Sequence, residues 1–250
     1  MSLILYKAIA ALILFIIAFA ITLPALLKKH PLIHSERVEL ADAFASGIFL
    51  GAALLHMLPD ALHAFAANPA VGGYPWPELI CVSGFLFLLL LERLSISWST
   101  LQTRQSIPYV LAITLMTHAL IEGGALGISG SYTETLLLFV AIAAHKGSES
   151  FALCLLLLRH HLPIKRILWL MLFFTLMTPF GIAGGSWLSS HHTGTLMEGI
   201  FNAFAAGTFL YISTLHHGHF HEHAEGSQGM LEYLALAAGT GLMAVIAVVV

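Results

Sequence analysis

The sequence predicts an all-α membrane protein of eight spans, and three observations carry that prediction. Of the 250 residues 58% are hydrophobic and only 9% are charged, with a mean hydropathy of +0.90. A soluble domain carries roughly a quarter charged residues. Apolar stretches long enough to cross a bilayer, which takes about 20 residues, follow one another with short connections. Lysine and arginine recur in alternate connections. The formal net charge of −3 gives no attraction for nucleic acid. Cys81 and Cys154 both lie in apolar runs, where packing is the expected role.

In chain order the expected spans are 6–27, 41–63, 78–98, 107–128, 134–158, 165–188, 198–216 and 230–250. The first carries "AFA" at 18–20, which resembles a signal-peptide processing site. Cleavage there would invert every other basic connection, so the stretch is kept as a span. Lys28, Lys29 and Arg37 fall between spans one and two. Arg93 and Arg104 bracket the step from three to four, and Arg159, Lys165 and Arg166 lie between five and six. Connections 2–3, 4–5 and 6–7 hold none. Basic residues favour the cytoplasmic side, so both termini are expected outside, a parity that eight spans preserve. Short connections make residues 1–250 a single transmembrane domain. Pro59, Pro108 and Pro179, with "GGALG" and "PFGIAGG", predict interrupted or closely packed helices.

The chemistry concentrates in spans four and five. "THALIEGGALGISGS" at 117–131 places His118 four residues before Glu122, and "AIAAHKGSESFALCL" at 141–155 places His145 four before Glu149. Glu122, Lys146 and Glu149, unpaired and facing lipid, would cost roughly 8–10 kcal/mol. They must therefore meet a partner, water or an ion. Residues four apart share a helix face. The link "SGSYTE" makes the two spans antiparallel neighbours, and each histidine lies about ten residues from it, which at about 1.5 Å per residue gives one depth. Two imidazoles and two carboxylates then converge. A buried hydrogen-bonded pair tying helices is the bland alternative, and two matched pairs at one depth argue against it. Such a set suits Zn²⁺ and also accepts Fe²⁺, Mn²⁺, Co²⁺ or Cd²⁺. Mg²⁺ and Ca²⁺ favour all-oxygen shells.

At these residues the sequence resembles the ZIP (Zrt/Irt-like) family of metal transporters. "HALIEGGALGIS" is similar to the family's fourth helix, "HKGSESFALCL" to its fifth, "TPFGIAGG" at 178–185 to its sixth and "NAFAAGTFLYIS" at 202–213 to its seventh. "GIFLGAALLHMLPDAL" at 47–62 resembles the second. The resemblance implies a ZIP-like bundle of eight helices that brings divalent metal, zinc above all, into the cytoplasm through a site between the fourth and fifth spans. His118, Glu122, His145 and Glu149 are then the metal ligands. It implies an integral protein of the plasma membrane, or of the inner membrane in a Gram-negative bacterium. Its partners are the cation and the bilayer, a homodimer is an admissible assembly, and no catalytic cofactor is expected.

Two departures from the family's binuclear pattern stand at Ala119 and Lys146. A protonated ammonium cannot be a ligand, so Lys146 is expected to fill the second metal's place and offset negative charge. Lysine there resembles the branch containing several animal zinc importers. His56 and Asp60 are candidates for passing metal inward, with an interfacial histidine as the plain alternative, and His63 is expected at the surface. His216 stands where the family has a glutamate near the end of its seventh helix. "HHGHFHEH", with His216, His217, His219, His221 and His223, lies in an expected cytoplasmic loop at 216–229 and suits metal release or regulation. "HH" at 160–161 and at 191–192 sits at span ends, where histidine is comfortable.

Two other functions compete. "GISG" at 127–130 has the Gly-x-Ser-Gly form of rhomboid-type intramembrane proteases, with Ser129 as nucleophile. That reading leaves Glu122, Lys146 and Glu149 unexplained, and the zinc-protease signature His-Glu-x-x-His is absent from the sequence. A membrane metal sensor would use the same ligands without flux. The transporter reading expects alternating access, with no nucleotide-binding motif in the chain. Because ligands bind metal deprotonated, affinity should fall as pH drops through the histidine range.

Overall fold

The computed structural model describes residues 2–27, 35–68, 72–97, 107–188, 195–216 and 227–248. Among these the regular structure is all helical. Helix α1 runs Leu3–Leu27, α2 Glu36–Ala52, α3 Leu58–Ala66, α4 Trp76–Ser97 and α5 Ile107–Ile128. Helix α6 runs Tyr132–Arg159, α7 Ile164–Leu188, α8 Thr195–Tyr211 and α9 Ser227–Ile246. Single π turns join α2 to α3 at Ala53–Met57 and follow α8 at Ile212–His216. Among the described residues, six runs are long and apolar enough to cross a membrane: Leu3–Leu23, Glu36–Ala66, Pro108–Ile128, Tyr132–Arg159, Ile164–Leu188 and Gln228–Ile246. With that helical content the chain is an integral membrane protein.

Local chemistry explains several boundaries. The second helical run starts at Glu36, ahead of the expected 41, because Ser35 is extended and its carbonyl accepts from Val38 and Glu39. Glu36 and Glu39 then lie in the first turn, where the helix dipole favours negative charge. Pro59 cannot donate to the carbonyl four residues earlier, and the backbone widens into the π turn just before it. The α6 start is capped by Ser131, whose Oγ accepts from the Glu134 N–H at 3.1 Å, while the Glu134 carboxylate accepts from the Gly130 N–H at 2.8 Å. This is the logic of a capping box. At the other end of α6, His161 takes a left-handed φ of 54°, and the His161 and Leu162 N–H groups return to Leu158 and Leu157, closing the helix.

Backbone contacts divide the chain into two compact units. The first holds α1, α5, α6 and α7; the second holds α2, α3, α4, α8 and α9. In the first unit, α5 packs on α7 and α6, and α1 packs on α6 and α7. The α5–α7 crossing is made by glycines. A Cβ on Gly123 would strike the Thr178 backbone, and one on Gly127 the Ile182 carbonyl. One on Gly181 would strike the Leu120 carbonyl, and one on Gly185 the Gly124 carbonyl. These contacts advance together along both helices, so α5 and α7 run parallel. Beside them Ala10, Leu14, Leu126, Ile142 and Ile182 form an apolar cluster.

In the second unit, α2 packs on α9, and α8 packs on α3 and α4. Gly47 meets the Leu236 backbone and Gly239 the Phe44 carbonyl, while Gly51 meets Met243 and Thr240. Here too the helices are parallel. Gly84 lies against Phe204 and Gly207 against Cys81 where α4 crosses α8. Phe49 and Phe209 meet edge to face with centroids 4.9 Å apart.

Candidate metal centre

Helix α5 projects His118 and Glu122 from one face, and α6 projects His145 and Glu149 from one face, as the four-residue spacing requires. The capped turn at Ser129–Ser131 folds α6 back along α5, and the two pairs meet. All four side chains are buried, and one donor atom from each lies within 4.8 Å of all the others. His118 Nε2 is 3.3 Å from Glu122 Oε2 and 3.2 Å from Glu149 Oε1. His145 Nε2 is 3.0 Å and 3.6 Å from the same two oxygens. Tetrahedral zinc with bonds of about 2.0–2.1 Å needs donors about 3.3–3.4 Å apart. The four imidazole-to-carboxylate edges bracket that value.

A fifth buried group completes the cluster. The Lys146 ammonium donates to Glu122 Oε1 and, at 2.9 Å, to Glu149 Oε2. It is fully buried and stands 4.8 Å from the centre of the Phe174 ring. With neutral imidazoles, the two carboxylates and one ammonium sum to a net −1. That charge suits a bound divalent cation and makes burial tolerable without one.

Two residues in this neighbourhood escape the sequence argument. Thr178 Oγ1 of α7 donates to Glu122 Oε1 at 3.3 Å, reaching it because the glycine crossing brings α7 against α5. Lys7 of α1 is buried and donates to the Gly127 and Ser129 carbonyls at 2.6 and 2.8 Å. It thereby satisfies the end of α5, where cations are favoured. Its signal is visible in hindsight: a lone lysine inside an apolar span must find acceptors, by the same cost that singles out Glu122.

The other candidates lie elsewhere. His56 sits on the first π turn, a feature often found at functional positions, with Nδ1 3.2 Å from Asp60 Oδ2. His63 is exposed. His216 ends the second π turn, whereas His217, His219, His221 and His223, like His191 and His192, fall outside the described residues. The Ser129 hydroxyl donates to the Leu126 carbonyl at 2.8 Å and stands 2.6 Å from Thr135 Oγ1. Both contacts belong to the turn between α5 and α6.

Comparison with known proteins agrees with this chemistry. Human zinc transporter ZIP1 is 28% identical over 251 residues, covering 83% of this chain and 77% of its own length. Mouse zinc transporter ZIP2 is 28% identical over 267 residues, covering 86% of each chain. Rice zinc transporter 8 is 33% identical over 151 residues, or 56% of this chain and 39% of its own. The family model described as ZIP zinc transporter matches residues 4–108 and 97–247. With nearly the whole length matched, the chain belongs to the ZIP zinc transporter family.

Proposed function

We propose that the protein carries divalent cations, zinc foremost, into the cytoplasm, and that His118, Glu122, His145 and Glu149 hold the cargo between α5 and α6. The observation that carries this reading is the convergence of four buried donor atoms, all within 4.8 Å of one another, inside two apolar helices. Membrane-buried ionisable groups serve function by default, and this donor set matches Zn²⁺ while admitting Fe²⁺, Mn²⁺, Co²⁺ and Cd²⁺. Lys146 takes the place of a second metal, its ammonium meeting both carboxylates.

The eight helical runs act as eight spans of one ZIP-like domain, with both termini outside and the histidine tract in the cytoplasm; of the loop expected at 216–229, His216 ends the second π turn and α9 begins at Ser227. Parallel packing supports this parity. Helix α5 runs parallel to α7, two runs later, and the α2–α3 run parallel to α9, six runs later. Parallel neighbours are separated by an even number of crossings. His56 and Asp60 are the proposed entrance pair, and His216, His217, His219, His221 and His223 the proposed exit or regulatory tract. Plasma membrane, or a bacterial inner membrane, is the proposed location, and the proposed activity is transport without catalysis. The turn contacts of Ser129 favour this reading over a serine hydrolase.

Zinc flux into proteoliposomes of the purified full-length protein tests the proposal. Saturable zinc entry is expected; tight binding without flux would establish a sensor instead. Deleting residues 217–223 should leave basal flux substantially intact and alter release or regulation, and complete loss in a well-inserted deletion would place the tract in the pathway.

A further inference from the structure

Lys146 divides the labour of the two buried carboxylates. Glu122 Oε2 and Glu149 Oε1 face the imidazoles, at 3.0–3.6 Å from His118 Nε2 and His145 Nε2. The remaining oxygens, Glu122 Oε1 and Glu149 Oε2, both accept from the one ammonium. Thr178 Oγ1 donates to Glu122 Oε1 as well. The ammonium is fully buried and lies 4.8 Å from the centre of the Phe174 ring.

We infer that Lys146 determines metal specificity by restricting Glu122 and Glu149 to one bond each, which limits the cargo to four protein ligands. The inference rests on the proposed cargo site and adds a selection mechanism to it. A cation taking both oxygens of either carboxylate would have to share the outer one with the ammonium. That would bring two like charges within about 4 Å in a poorly screened interior. Two imidazoles and two single-oxygen carboxylates remain. Zn²⁺ accepts four ligands in any near-tetrahedral arrangement because its filled d shell imposes no geometry. Mn²⁺ favours six, rich in oxygen. Without the ammonium, each carboxylate could chelate through both oxygens, giving two nitrogens and four oxygens. The same site would then suit Mn²⁺.

Cobalt(II) reports the ligand number directly, since its visible bands are several-fold more intense with four ligands than with six. The full-length protein is loaded with Co²⁺, and the spectrum of Glu122→Ala is subtracted to remove cobalt on the histidine tract. An intense four-coordinate difference spectrum is expected for the wild type. In Lys146→Met it should weaken several-fold, and competition of Mn²⁺ against Zn²⁺ for the site should improve about tenfold, equivalent to about 1.4 kcal/mol. Weak six-coordinate bands in the wild type would overturn the inference, even if Lys146→Met failed to fold. A folded Lys146→Met with unchanged bands and unchanged competition would also overturn it. A null difference spectrum would remove the cluster as a metal site and the inference with it. Four-coordinate cobalt in a protein without flux would uphold the selection mechanism and refute the transport reading.

Discussion

Helices α5 and α7 of the first unit and helices α2 and α9 of the second are joined by the same device. Gly123, Gly127, Gly181 and Gly185 in one, and Gly47, Gly51 and Gly239 in the other, let parallel backbones touch. What the crossings surround is different. The α5–α7 crossing sets Thr178 on Glu122, within a buried group of His118, His145, Lys146 and Glu149. In the α2–α9 crossing, Thr240 Oγ1 returns to the Gly47 and Leu236 carbonyls at 3.1 Å each, a contact within the helix pair itself. Among the described residues the buried ionisable side chains of the second unit reduce to Glu232, Tyr211 and Cys81, whereas the first unit buries Lys7 and the whole cluster besides Cys154. Close packing therefore holds both units, and polar content separates the one that handles charge.

The strongest test of that separation removes a carboxylate from each unit. Glu122→Ala, or His145→Ala, should lower saturable zinc uptake by about two orders of magnitude or more, since even outer-shell changes cost 10–100-fold in affinity. Glu232→Gln in α9 should retain uptake. Equal loss from both variants, at matched membrane insertion, would end the distinction between the units.

A smaller effect separates shared packing from local chemistry. Gly181→Leu and Gly239→Leu each force a side chain into backbone and should each cost about 1–3 kcal/mol in thermal or denaturant stability. Only Gly181→Leu should also weaken zinc binding, because it displaces α7 and Thr178 from Glu122. If Gly239→Leu weakened binding equally at matched folding, the glycine crossing would not be what positions Thr178.

The smallest effects come from glycines whose Cβ would meet open space, Gly184 in the first unit and Gly241 in the second. Gly184→Ala and Gly241→Ala should be neutral or stabilise by about 0.4–1 kcal/mol, through the unfolded chain. Destabilisation of either by more than that would mean an approach at that position absent from the contacts described.

How much of this was legible in the sequence follows from the range of each signal. The His118–Glu122 and His145–Glu149 pairs could be brought together on paper because helical rise and a short link are local geometry. The π turn at Ala53–Met57 was not legible beyond Pro59, since its register depends on how α2 packs. Thr178 lies in the quoted "TPFGIAGG", yet its bond to Glu122 requires knowing that α7 lies against α5, a choice among many helix pairings.

One divalent cation is proposed to bind among the four donor atoms of α5 and α6. Anomalous scattering at the zinc edge, from crystals of the full-length protein soaked in zinc, tests it most directly. One peak is expected at about 2.0–2.2 Å from His118 Nε2, His145 Nε2, Glu122 Oε2 and Glu149 Oε1, with the Lys146 ammonium still on the outer oxygens. Zinc at His56 and Asp60 or elsewhere, with no density among these four at saturating metal, would contradict it.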